Sequence, residues 1–197
     1  MEDRMGQELP GKKKNLILEA AAEVFARRGF HGSTVEEIAQ RAGVGKGTIY
    51  EYFSSKKDLF HQLITAVMEE MITDLRKRID QAGEVQEKLR ILVEEGLNHF
   101  QRLEQISKIL MTEVKNARDE EIKEIFLQKH ESIIGLISGV IEEGMKEGRF
   151  RQVDKLLAAQ LFIGTLSSII VSTTIYNRER KTSINAVLDL FLHGIST

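Results

Sequence analysis

The stretch from Ser33 to Phe60, STVEEIAQRAGVGKGTIYEYFSSKKDLF, constrains the fold of this chain more than any other. Ser33 and Thr34 each have a glutamate three residues on, Glu36 and Glu37, so a capping box starts a helix here in either register. Val35, Ile38, Ala39 and Ala42 follow at helical spacing and give one apolar face. Gly43 supplies a left-handed residue to end that helix, and Val44 turns back towards the same core. A second helix starts at about Gly45 and runs to Phe53, with Ile49 and Phe53 inward at i, i+4. Ser54 and Ser55 stop it, and Ser55-x-x-Asp58 caps a third helix. Small Ala39 lets two helices approach, Gly43 makes the turn and Ile49 locks the second helix on the first. That spacing is what a helix-turn-helix requires, with its second helix projecting as a recognition helix.

The second helix is open at its start. Gly45, Lys46, Gly47 and Thr48 put little bulk around the backbone N–H groups, so a phosphate or base edge can come near. Lys46, Thr48, Tyr50, Glu51 and Tyr52 face outward, a donor-rich surface with aromatic hydroxyls. Lys46, in the first turn, is placed to read a guanine edge, and Lys56, at the start of the next helix, to hold a phosphate. The candidate DNA contacts are therefore Thr34, Gly45, Lys46, Gly47, Thr48, Tyr50, Tyr52 and Lys56. The plainer alternative is a surface helical hairpin with solvated polar residues.

The order T-V-x-x-I-A-x-x-A-G-V-x-x-G-T-I-Y-x-Y-F-x-x-K-x-x-L, from Thr34 to Leu59, resembles the signature of TetR-type transcriptional regulators. The preceding I-L-x-A-A-x-x-x-F-x-x-x-G-F, from Ile17 to Phe30, resembles that family's first helix. Many relatives carry Ser where this chain has Gly45, so no side-chain phosphate contact is implied there. The resemblance implies an all-α protein with a three-helix DNA-binding head and a larger helical body for ligand binding and dimerisation. It also implies a repressor released from a palindromic operator by a small hydrophobic effector.

Charge is distributed as that reading requires. Residues 12–57 hold nine Lys/Arg against five Glu, a net +4, which leaves −6 for the rest of a chain whose total is −2. A basic head on an acidic body suits double-stranded DNA as a partner. The absence of Cys excludes disulfides and thiolate metal sites and suits a cytoplasmic protein. Residues 1–11 are polar, lack the apolar core of a signal peptide and read as a mobile tail. Lys12, Lys13 and Lys14 follow as a possible basic arm. The domain reading is thus a tail over 1–11, a helix-turn-helix domain over 12–54 and an effector-binding and dimerisation domain over 55–197.

Beyond the head a long helix is expected from Ser55 to about Ile79, then helices over Val85–Leu103, Ile106–Val114, Ile122–Met145, Val153–Tyr176 and Ile184–Leu192. Leu156 to Asn177 carries no charge and is long enough to span a bilayer. Gln160, Thr165, Ser167, Ser168, Ser172, Thr173 and Thr174 dilute its hydrophobicity, so it reads as a helix shared between the core and a homodimer interface, not a membrane span. Leu161, Ile169 and Phe191 are the expected interface residues.

Catalysis finds no support. His31, His61, His99, His130 and His193 are scattered, with no H-E-x-x-H spacing, nucleophile elbow or phosphate loop, so neither an enzyme nor a cofactor is expected. Phe100, Leu103, Leu110, Met111, Phe126, Phe162, Leu166 and Ile169 fall at inward helical positions, where each could simply fill a core. The resemblance implies that some of them line an effector cavity between helices. The run Gly148 to Ile170 is similar to the fatty-acid-degradation repressors of the same family, which implies a long-chain acyl-CoA as effector. The alternatives are a multidrug-responsive regulator of an efflux gene and a helical protein-binding module.

Overall fold

The computed structural model describes residues 10–98, 120–174, 176 and 179–195. Among these residues the regular secondary structure is all helical: α1 (Pro10–Gly32), α2 (Val35–Ala42), α3 (Lys46–Tyr52), α4 (Lys56–Gln81), α5 (described over 85–98), α6 (Glu120–Lys146), α7 (Lys155–Thr174) and α8 (Arg180–Ile195). The expected helix over Ile106–Val114 lies outside the described residues. Contacts divide the chain into two units, one reaching Met68 and including the first turn of α6 as far as Lys123, the other beginning at Glu69 and taking in the rest of α6 from Glu124.

In the first unit α1 buries Ile17, Ala21, Val24 and Phe25. Gly29 stands at φ +73°, a conformation that a residue with a Cβ rarely adopts, so α1 breaks there and resumes for one more turn to Gly32. Phe30 stacks with Phe25 and Phe60 at ring-centroid distances of 5.8 and 5.1 Å, and Phe25 meets Phe60 edge-on at 5.2 Å. The two possible capping registers of α2 are resolved in favour of Thr34, whose hydroxyl accepts from the Glu37 N–H at 3.1 Å while the Glu37 carboxylate accepts from the Thr34 N–H at 3.2 Å. Ser33 donates instead to the Phe30 carbonyl, at 2.7 Å. Gly43 ends α2 at φ +68°, and α3 packs back through Ile49 and Phe53, both buried. At the first turn of α6, Ile122 is buried and the Glu121 carboxylate lies 3.0 Å from Nδ1 of buried His61.

The second unit has one apolar core, drawn from Leu75 and Ile79 of α4, Leu89, Leu92 and Val93 of α5, Ile137 and Ile141 of α6, Phe162 and Ile169 of α7, and Leu188 of α8. The α6–α7 turn places Gly148 at φ +69° and sends the N–H groups of Arg149 and Phe150 to the Gly144 carbonyl at 2.9 and 3.0 Å. The Phe150 ring then lies against the bare Cα of Gly144, where a Cβ would collide with it. Asp154 opens α7 by accepting from the Leu156 and Leu157 N–H groups. Arg151 donates to the carbonyls of Gly194 and Ile195 at 2.9 and 2.7 Å, satisfying acceptors that the end of α8 leaves free. α8 starts at Arg180, four residues ahead of expectation, because Glu179 organises a polar first turn through Thr182 and Ser183 that no apolar periodicity marks.

The expectation for the outer face of α7 needs correction. Ile169 is fully buried within its own unit, and half-buried Phe191 packs edge-on against Phe162 at 5.0 Å. Among its described residues, Leu156, Leu157 and Leu161 are the large apolar side chains left exposed. A helix apolar on nearly every side has no periodicity by which inward and outward positions can be told apart. No described helix is long and apolar enough to cross a membrane.

Gly144→Ala should lower stability to urea by about 1–3 kcal/mol through overpacking against Phe150. Gly139→Ala, on the same helix with nothing within 4 Å of an added Cβ, should instead be neutral or gain about 0.5–1 kcal/mol. Equal losses in the two variants would remove the ring contact as the cause.

Candidate nucleic-acid interface

α3 is a short helix held by few apolar anchors, which leaves most of its surface free. Gly45 caps it without a side-chain hydrogen bond, and a Cβ added at Gly47 would meet nothing within 4 Å. Neither glycine is therefore demanded by packing inside the head. Lys46, Tyr50 and Glu51 are exposed, Thr48 and Tyr52 are half-buried, and the Tyr52 ring lies 6.4 Å from that of Phe53. The face combines a cation, two phenol hydroxyls and a threonine hydroxyl around a bulk-free first turn. Such a surface can present donors to base edges and phosphates together.

The candidate residues fall into two groups. Lys46 and Tyr50 lie together, with the ammonium 5.9 Å from the Tyr50 ring centroid and hydrogen-bonded to the Glu36 carboxylate of α2. That bond holds the Glu36 carboxyl below its ordinary range and pushes the Lys46 ammonium above its own. Thr34 caps α2, and Lys56 reaches the α1–α2 junction instead. Lys56 donates to the carbonyls of Phe30 and Ser33 at 2.7 and 2.9 Å and sits 4.5 Å over the Phe30 ring. Two of its three N–H groups thus serve the fold, which leaves one for the phosphate contact expected of it. The sequence marks Glu36 only as a capping candidate, and the Thr34–Glu37 register is what frees it for Lys46.

Two further ion pairs brace the outer side of the head. Arg41 Nε donates to Glu23 at 2.6 Å, and Arg28 lies 3.2 Å from Glu37, each joining α1 to α2. At the start of α4, Asp58 accepts from Gln62 and from the N–H and hydroxyl of Ser54, and its carboxyl is held low, chiefly by the Gln62 bond.

Of the expected effector-lining residues, Phe100, Leu103, Leu110 and Met111 lie outside the described residues. Phe162 and Ile169 are buried in the core of the second unit, Leu166 packs against it, and Phe126 is half-buried on α6. Gly96 of α5 makes room for Leu166, whose Cδ1 lies 2.9 Å from where a Cβ would stand.

Comparison with known proteins agrees with this geometry. Residues 17–63 match the bacterial regulatory proteins of the TetR family, and residues 64–194 match the C-terminal region of YsiA-like proteins. The chain belongs to the TetR family of transcriptional regulators. It is 28% identical to the fatty acid metabolism regulator protein of Bacillus subtilis, over 91% of this chain and 93% of that one. Its fold is similar to that of FadR from Bacillus subtilis in complex with stearoyl-CoA, with a TM-score of 0.73, 26% identity and coverage of 92% and 98% of the two chains. FadR from Bacillus halodurans gives a TM-score of 0.68 at 28% identity over 96% and 97%. The helix-turn-helix is accordingly the DNA-reading element of a transcriptional regulator.

Lys56→Met should cost about 1–3 kcal/mol in urea unfolding, because two carbonyls at the α1–α2 junction lose a charged donor. A variant of unchanged stability whose DNA binding loses about 0.9 of its salt slope would return Lys56 to phosphate duty.

Proposed function

We propose that this protein is a homodimeric repressor that reads a palindromic operator and is released from it by a long-chain acyl-CoA. The observation that carries the effector is the likeness, over nearly the whole chain, to a regulator solved with stearoyl-CoA. The apolar second unit supplies the chemistry. Phe126, Phe162, Leu166 and Ile169 are its candidate lining among the described residues. Phe162 and Ile169 already pack in the core, so an acyl chain among them must displace or part existing contacts. It would favour a conformation different from the empty one, and a ligand with such differential affinity shifts the equilibrium between DNA-competent and incompetent states. α4 is the chain link common to both units. The site of action is the cytoplasm, where operator DNA and acyl-CoA meet.

The dimer reading rests on α7 and α8. Leu157, Leu161 and Leu190 are 55%, 62% and 74% exposed, and they border an apolar groove of about 320 Å³ also lined by Phe191 and Ile195. A contiguous apolar face of this kind is a cost to a monomer and a self-complementary surface for a two-fold dimer. Two heads so paired would reach half-sites about 34–36 Å apart or a multiple of it.

The effector is tested by operator release against saturated acyl-CoAs of increasing length, free fatty acids and cationic dyes. Apparent affinity should climb with each added CH₂, by up to about 0.8 kcal/mol, until the cavity is full. Release by dyes with no response to acyl-CoA would replace this reading with that of a drug-responsive regulator. For the dimer, Leu161→Glu would bury a carboxylate against apolar partners at a cost of several kcal/mol and should sediment as monomer. An unchanged dimer would place the interface off this face.

A further inference from the structure

The Thr34 cap uses Glu37, so the neighbouring carboxylate of Glu36 has no capping role. It accepts instead from Nζ of Lys46, ten residues on. The Glu23–Arg41 and Glu37–Arg28 pairs brace α1 against α2, whereas Glu36–Lys46 joins α2 to the first turn of the recognition helix. Its two side chains are 60% and 50% exposed, and ion pairs this open to water add little to stability. What it does alter is the availability of Lys46. Each partner reinforces the charge of the other, so across the neutral range protonation does not open the pair. A competing anion can do that, and the anion that meets a recognition helix is DNA phosphate.

We propose that Glu36 is a specificity-determining residue, an internal anion that occupies Lys46 and withholds its charge from arbitrary DNA phosphates. The discrimination follows from what the two targets need. A phosphate contact draws its free energy from a full positive charge and the counterions it displaces, and an ammonium already paired with a carboxylate supplies neither. Glu36 also carries the same sign as the phosphate and repels it. A base acceptor such as guanine O6 or N7 needs only an N–H group. An ammonium has three, so Lys46 can keep Glu36 and still donate to a base edge. The pair therefore weakens sequence-independent binding more than it weakens readout. This rests on α3 being the DNA-reading helix.

The test measures binding of the full-length wild type, Glu36→Gln, Lys46→Ala and the double variant to a random-sequence duplex and to a site enriched by selection on the wild type, each over a range of salt. Glu36→Gln should bind the random duplex more tightly, with a salt slope steeper by about 0.9, so its advantage grows about threefold between 200 and 50 mM salt. The selected site should gain less, so the ratio of specific to random affinity should fall. In the Lys46→Ala background the same substitution should leave the slope unchanged. A Glu36→Gln gain that is equal on both duplexes, or that persists in full without Lys46, overturns the proposal in favour of a general charge effect. A loss on both duplexes overturns it in favour of Glu36 aiming Lys46. Absence of duplex binding by the wild type would defeat the DNA-reading assignment itself, a result distinct from either.

Discussion

Lys56 and the Phe25–Phe30–Phe60 cluster hold the point on which the head depends. The chain leaves α1 through Gly29 at φ +73° and must reach Thr34 in an extended conformation before α2 can begin. The carbonyls of Phe30 and Ser33 flank that passage and receive the ammonium of Lys56 from the start of α4, which also lies over the Phe30 ring. Phe60, one turn further along α4, completes the aromatic cluster from the same side. The beginning of the fourth helix thus determines where the second can start. The recognition helix, held to α2 by the Gly43 turn and Ile49, inherits that placement.

Most of the head is legible in the sequence because its determinants are local. Capping, a left-handed glycine and apolar residues three or four positions apart act within one or two helical turns, and α2 and α3 fall within a residue or two of where those signals put them. The Lys46–Glu36 and Lys56–carbonyl contacts are of another kind. They join residues ten to twenty-six apart through long flexible side chains, and no periodicity encodes which acceptor such a side chain finds. Sequence pattern identifies both lysines as candidates for DNA, whereas the fold engages one with a carboxylate and the other with the main chain.

α7 marks a different limit. Its run from Leu156 onward is apolar on nearly all sides, so the sequence reveals that the helix is covered without revealing by what. Ile169 faces the core of its own unit and Leu161 faces outward, eight residues apart on a helix with no polar stripe to orient it. The distinction appears only once Phe162 meets Phe191 of α8 and Leu166 settles over Gly96 of α5. Core and exposed face are then divided by three-dimensional packing, with the small residue at Gly96 allowing α5 and α7 to approach.

Charge in the head works at two ranges, and the structure separates them. Ion pairing inside the head does not change its net charge, so the long-range attraction of a basic segment for DNA is the one its composition sets. Contact is another matter, since a cation that touches a phosphate must be free of its own carboxylate. Arg28, Arg41 and Lys46 each have one, and Lys56 has two carbonyls. A head built this way is drawn towards any duplex from a distance, yet offers fewer unpaired cations at the surface than its composition suggests. Such a division favours encounter over sequence-independent adhesion, the combination that suits a regulator searching a genome for few sites.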